Sequence, residues 1–339
     1  MNNVLLTFEG VLGANKIKQN EPMLLHTACK IGGPAEFYVE VDKTDDFVNI
    51  VLAARKMQLP VFVLGGGSNI IVSDKGIKGL VIKNNCRRFE IASMKGSIKN
   101  QRLDVAYALV FAEAGALMNQ LVRFTIEQGF SGLEYALGLP GTVGGAVFTN
   151  VHFSQYNISI WDCVQNIRVL THSTPFSRSG STLSGIEGST KSGEIQDIEG
   201  KPKASDIIVS VMFRCTPFDK KTLWERGTEA VMKRNDILPP GDIIGYIFKD
   251  IGIAAAMNIP TPGHTTSPAF LIKQSGLAGK RIGDAVISDL NPNYIINAGE
   301  AKSSDVLALI RLIKDDVFKK FGVTLEVDLK VVGGGRDNG

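Results

Sequence analysis

Two clusters of glycine and short polar residues carry the side-chain types best suited to chemistry. In "VFVLGGGSNIIV" the apolar run Val61–Leu64 breaks into Gly65, Gly66, Gly67, Ser68 and Asn69. The run predicts a strand covered on both faces. The glycines permit backbone angles and close approaches that a side chain would block. Successive amides in such a turn, with short polar side chains beside them, can surround an anion. A phosphate-bearing ligand is one reading of this turn, and a tight loop without a ligand is the other. The second cluster, in "GLPGTVGGAV", holds Gly141, Thr142, Gly144 and Gly145. It too admits a plain packing turn. Neither cluster fits a known phosphate fingerprint. Ile70 stands where a dinucleotide motif needs its third glycine, and no Lys-Ser or Lys-Thr pair follows either cluster. What remains is a pair of glycine turns in successive α+β units, both facing one long phosphate ligand.

Other chemistries find no support. His26, His152, His172 and His264 lack metal-ligand spacing, so no metal is expected. No G-x-S-x-G elbow occurs. Cys29, Cys86, Cys163 and Cys215 are scattered, without a CxxC pair, and read as reduced, buried thiols of a cytoplasmic protein. The net charge is +3, from 37 basic and 34 acidic residues, with no basic block or basic–aromatic interleaving. Nucleic acid is therefore not an expected partner. No run approaches the ~18 apolar residues of a membrane span, and the first residues do not have the build of a signal peptide. A chain of 339 residues with 44% hydrophobic and 21% charged content suits two or three globular domains.

The elements that must position these turns follow from periodicity. Residues 1–21 read as a loosely attached extension. From "PAEFYVEV" onward the order is strand, helix, strand, glycine turn, strand. Thr44 is placed to cap the helix, whose stripe is Phe47, Ile50, Val51 and Ala54. A second unit opens near Arg102, where "LDVAYALVFAEAGA" predicts strands broken at Gly115. A helix bearing Leu117, Leu121 and Phe124 follows and ends at Gly129. Residues 171–206 are rich in Ser, Gly and Thr and predict a mobile segment or lid. From Leu223 a third unit contains the helix after Ser304, with Val306, Leu309, Ile310, Ile313 and Val317, then the strand "LEVDLKVV". Residues 334–339 read as a disordered tail.

Four blocks in order, "HTACKIGGPAEFYVEV", "VFVLGGGSNIIVSDKGIKGLVIK", "GLEYALGLPGTVGGAV" and "GLAGKRIGDAVISDLNPNYIINAGEAKSSDV", resemble the UDP-N-acetylenolpyruvoylglucosamine reductases over roughly residues 22 to 333. The resemblance implies an α+β protein. Its FAD-binding fold, of the vanillyl-alcohol-oxidase (PCMH) type, would have two subdomains over residues 22–218. A C-terminal α+β substrate domain would span 223–333. It also implies noncovalent FAD, NADPH as reductant, a UDP-sugar substrate in peptidoglycan precursor synthesis, and a monomer. On this reading Gly65, Gly66, Gly67, Ser68 and Asn69 hold the FAD diphosphate, and Gly141, Thr142, Gly144 and Gly145 approach the same cofactor.

The catalytic positions depart from the family pattern. Where the family reads G-S-x-F-K-N-P, this chain has "GYIFKDI". Tyr246 takes the place of the proton-donating serine, Lys249 matches as a substrate-binding residue, and Asp250 replaces asparagine. A phenol, with pKa near ~10, is a stronger acid than an alkyl hydroxyl, but its ring demands space. Tyr246 is therefore either a substitute acid or a space-filler. Asp328 in "LEVDL" falls at the functional glutamate's position; Glu326 lies on the same strand face and is the alternative. The family's carboxylate-binding arginine has Arg178 as one candidate and Lys191 as another. "NVHFSQ" lacks the glycine-rich stretch that usually follows the second cluster. Three functions are thus in view. They are a working reductase, a flavin-binding relative that has lost the reaction and serves in binding or regulation, and an alcohol-oxidising relative. The last commonly holds FAD through a histidine in the first turn, which contains none here. Denaturing the purified yellow protein in acid should therefore release all flavin into the supernatant. Flavin left on the precipitated chain would refute noncovalent attachment.

Overall fold

In the first 56 residues two helices, Asn2–Leu12 and Thr44–Lys56, show how apolar spacing becomes packing. Phe8 is wholly buried and Leu12 nearly so, so the start of the chain is docked rather than loosely attached. The stripe Phe47, Ile50, Val51 and Ala54 is buried as its 3.6-residue period requires. Thr44 does not cap this helix. Lys43 occupies the cap position, and the Thr44 hydroxyl donates to Glu113 Oε1 at 2.6 Å.

The computed structural model describes residues 2–99, 102–171, 195–259, 261 and 263–334. Most of the expected mobile segment (172–194) and nearly all of the expected disordered tail (335–339) lie outside the described residues. Residues 195–198, within the former span, form a strand paired to Val164–Leu170. Among the described residues no helix is long and apolar enough to cross a membrane, and no group of three or more His, Cys, Asp or Glu could hold a metal. All four cysteines are free and buried.

The chain divides into two units, each discontinuous in sequence. The first comprises Met1–Ile17, Val39–Gly65 and Ile82–Val231. Its main sheet is antiparallel, in the order Ile195–Ile198, Val164–Leu170, Ile207–Pro217, Arg102–Glu113, Phe89–Lys99. The strand through "AYALVFA" is continuous and alternates, burying Ala108, Val110 and Ala112 on one face. Against that face packs the helix Met118–Glu127, through Met118, Leu121, Val122 and Ile126. Gly129, at φ +76°, terminates it. The strand Val61–Leu64 is less covered than its apolar run predicts: Leu64 is buried, and the other three are half-buried.

The second unit comprises Lys18–Tyr38, Gly66–Val81 and Met232–Gly339. Here an antiparallel sheet runs Asp242–Ile244, Ile295–Asn297, Ala285–Ile287, Arg281–Ile282. The helix Ser303–Phe321 buries Val306, Leu309, Ile310, Ile313 and Val317 and stops at Gly322 (φ +69°). "LEVDLKVV" yields regular strand only at Lys330–Val332, which pairs in parallel with Ile70–Val72. Asp74 ties these distant parts together. Its carboxylate accepts from the amides of Ser303 (2.7 Å) and Ser304 (3.1 Å), and its own amide donates to Ser303 Oγ at 2.9 Å.

This long-range cap has a pH signature. Burial alone would raise the Asp74 carboxyl, but hydrogen bonds from Ser303 and Ser304 outweigh it and hold the group below its ordinary range. Its stabilisation is thus complete at neutral pH and is lost as acid protonates it, below the unfolded value of ~3.9. At pH 7, Asp74→Ala should weaken the helix start by about 1 kcal/mol, as for a solvent-exposed cap. Amide exchange at Ser303 and Ser304 should then be about fivefold faster. The gap between wild type and variant should narrow as the pH falls below ~4.

Candidate active site

Within the first glycine turn, Gly65 is the last residue of a segment of the first unit, and Gly66 the first of a segment of the second. Within the first unit, a Cβ on Gly65 would lie 2.4 Å from Thr142 Oγ1. A side chain at Gly65 would therefore displace the second cluster. Gly65 O accepts from Lys83 Nζ at 2.7 Å. Burial pushes the Lys83 amine below its ordinary value, with Glu40 opposing and Arg87 reinforcing the shift. Thr142 caps the short helix Val143–Thr149, its Oγ1 accepting from Gly145 N at 3.3 Å. Val143 N donates to Ala116 O and Gly144 N to Ala114 O, at 2.9 and 2.8 Å. A Cβ on Gly144 would sit 2.8 Å from Ala114 Cβ. Gly144 is thus demanded by packing, and its amide is already committed. At the helix end Asn150 turns left-handed (φ +49°), and its Oδ1 is buried without a hydrogen-bond partner among the described residues. Bare glycines and a threonine hydroxyl at one end of this helix, and an unmet amide acceptor at the other, are groups that suit a ligand bearing both donors and acceptors.

In the second unit Gly67 is left-handed (φ +69°), and a Cβ there would strike His26 O at 2.2 Å. Its carbonyl accepts from Ala28 N at 3.0 Å. The turn therefore needs this glycine whether or not a ligand binds. Ser68 and Asn69 are half-buried. Gly245 packs closely here too: a Cβ on it would lie 2.5 Å from Asn69 Oδ1 and displace that side chain. Asn69 thereby meets the start of "GYIFKD".

The rest of that segment is held by a residue the sequence reading gave no role. Asn293 is fully buried. Its Oδ1 accepts from Phe248 N at 2.9 Å, its Nδ2 donates to Phe248 O at 2.8 Å, and its carbonyl accepts from Ile247 N at 3.0 Å. On the other side Phe248 bridges antiparallel to Val327, with Lys249 N donating to Glu326 O and Asp328 N to Ile247 O, both at 2.9 Å. Lys249, Glu326 and Asp328 are thereby gathered, and Tyr246 lies one residue before the pairing. Arg178 and Lys191 lie outside the described residues.

The electrostatics follow from these neighbours. Tyr246 is half-buried, its ring edge-on to Tyr294 at 5.6 Å and its hydroxyl donating to Asp250 Oδ1 at 3.3 Å. Burial first, and Asp250 second, push the phenol up to about 12. It is a weaker acid than a free phenol. Lys249 pairs with Glu326, which raises its amine. Burial lifts the Asp328 carboxyl above the usual range, Lys249 opposes this, and Glu326 adds to it. Glu326 is mostly exposed and engaged with Lys249, whereas Asp328 is half-buried. Lys249 and Asp328 thus offer a cation beside a carboxyl that burial raises, and Tyr246 is a weak acid outside that pairing.

Comparison with known proteins identifies related chains. Residues 240–332 match the model "UDP-N-acetylenolpyruvoylglucosamine reductase, C-terminal domain", and residues 35–174 match "FAD binding domain". Similar proteins include the UDP-N-acetylenolpyruvoylglucosamine reductases of Agathobacter rectalis and Rubrobacter xylanophilus. The first is 32% identical over 93% of this chain and 93% of its own. The second is 32% identical over 93% of this chain and 95% of its own. Among solved structures, UDP-N-acetylenolpyruvylglucosamine reductase from Thermus caldophilus is 25% identical with a TM-score of 0.64, covering 94% of this chain and 98% of that one.

The Tyr246–Asp250 contact predicts a measurable shift. Asp250→Asn removes the neighbouring charge, so Tyr246 should ionise below about 12, yet above a free phenol because burial persists. Ultraviolet titration near 295 nm, with Tyr246→Phe subtracted, reads this directly. An unmoved inflection would mean that Asp250 does not act on the phenol.

Proposed function

Since the chain belongs to the UDP-N-acetylenolpyruvoylglucosamine reductase family and carries an FAD-binding domain, we propose that it reduces UDP-N-acetylenolpyruvoylglucosamine with NADPH. The product, UDP-N-acetylmuramate, serves peptidoglycan precursor synthesis. The observation that carries this reading is the gathering of Lys249 and Asp328 by pairing of 247–249 with 326–328, with Tyr246 one residue before it. FAD, when bound, supplies hydride transfer from the reductant to the substrate's double bond. Gly65, Gly66, Gly67, Ser68 and Asn69 are the proposed diphosphate holders, with Gly141, Thr142 and Gly145 beside the same cofactor. Gly144 serves there by letting the helix Val143–Thr149 approach Ala114.

Reduction of an enolpyruvyl double bond builds negative charge on the adjacent carboxylate and leaves one carbon needing a proton. Lys249 is the proposed cation for the anionic substrate, and Arg178 the candidate for its carboxylate. Asp328 takes the place of the family's glutamate, its carboxyl raised above the usual range by burial. Tyr246 is the proposed proton donor. Although raised to about 12, its phenol remains more acidic than the alkyl hydroxyl it replaces. Its proton points to Asp250 at rest, so delivery requires the hydroxyl to turn towards the substrate. The proposed protein is monomeric and works in the cytoplasm, a compartment that suits its four free thiols.

A second reading, a flavin-binding relative without this reaction, is favoured by one observation: Asp250 adds negative charge beside Tyr246 where the family has a neutral amide. One experiment separates the two. NADPH consumption by FAD-loaded protein should rise on adding UDP-N-acetylenolpyruvoylglucosamine. Tyr246→Phe should lower the substrate-dependent rate by ~10²-fold while leaving the substrate-independent oxidation of NADPH unchanged. Wild type that ignores the substrate supports the second reading. Equal rates for wild type and variant would remove Tyr246 from the chemistry.

A further inference from the structure

Lys83 is the next-to-last residue of the strand Ile77–Asn84 and is half-buried. Its Nζ reaches the first glycine turn, donating to Gly65 O at 2.7 Å. The ammonium group has three donors, and this contact uses one. Among the described residues no carboxylate forms an ion pair with it. Glu40 acts on it only at longer range and accepts from Asn85 Nδ2 at 2.9 Å. Asp and Glu therefore leave this partly desolvated cation without a direct counter-charge, and burial accordingly weakens its hold on the proton. Gly65, its anchor, backs onto Thr142 Oγ1. Gly65 thus carries the Lys83 ammonium on its carbonyl and faces the Thr142 hydroxyl with its bare Cα.

We propose that Lys83 is a cofactor-binding residue that supplies positive charge to the diphosphate of FAD at Gly65. This rests on placing the diphosphate at the glycine turn. Main-chain amides replace the water shell of a phosphate but do not neutralise its charge. The phosphate loops of nucleotide-binding proteins solve this with a lysine inside the glycine motif, which both clusters here lack. Lys83 arrives instead from the neighbouring strand. A bound diphosphate would in turn supply the missing counter-charge and favour the protonated amine.

The test is titration of the full-length chain, stripped of flavin, with FAD and separately with riboflavin, which has no phosphate. Binding is followed by flavin fluorescence and folding by circular dichroism. Lys83→Met should weaken FAD by roughly tenfold or more, the loss of one charge-assisted hydrogen bond, with riboflavin changed less than about twofold. Lys83→Gln keeps a donor for Gly65 O but no charge, and should lose FAD affinity as Lys83→Met does. Lys83→Arg should stay within about threefold of wild type. The Gln and Arg variants decide the matter should Lys83→Met fold poorly. Unchanged FAD affinity in Lys83→Gln, or equal weakening of FAD and riboflavin, overturns the proposal. Wild type that binds no FAD would instead overturn the functional reading itself.

Discussion

Phe248 is fully buried, and a buried peptide must find partners for both its polar groups. Asn293 supplies them from a single side chain, and leaving either unmet would cost about 1–3 kcal/mol. This one clamp decides where the neighbouring side chains go. With Phe248 fixed between Asn293 and Val327, Tyr246 and Lys249 take set positions on either side. Glu326 and Asp328 are brought alongside by the same pairing. An asparagine suits the task because it carries a donor and an acceptor, without charge, in the spacing of a peptide.

Much of this was legible in the residues. The 3.6-residue stripes in Thr44–Lys56 and Ser303–Phe321 became buried faces, because burial follows directly from spacing on a helix. Gly65 and Gly67 were legible as places where a side chain would block a close approach, and the structure supplies the atoms approached: Thr142 Oγ1 and His26 O. The pairing of "GYIFKD" with "LEVDL" is a finding of the fold, although both segments drew notice through the family resemblance.

What escaped the sequence depends on contacts between residues far apart in the chain. Lys83 sits in an ordinary strand pattern, and only the position of Gly65 O gives its amine a destination. Thr44 had the chemistry of a cap, but Glu113 offered its hydroxyl a better acceptor. Val61–Leu64 is apolar enough for a covered strand, yet apolar composition does not fix how much of it neighbours cover. Gly144 was grouped with neighbours expected to approach the cofactor, and its bare Cα is required by packing against Ala114. The units themselves are built from non-consecutive segments, whereas a reading along the chain finds consecutive ones.

The cap at Asp74 bears on how the protein emerges from the ribosome. Asp74 and Ser303 are 229 residues apart, which at typical translation speeds is roughly ten to fifty seconds of synthesis. Throughout that interval the nascent segment Ile70–Val72 exists without its parallel partner Lys330–Val332. It is a short, wholly apolar strand edge, the kind that invites mispairing between chains. Because every continuous segment of the first unit has emerged by Val231, that unit can condense while the second still waits. The order of assembly is written into the connectivity, and the waiting edge is where a holding chaperone has most to protect.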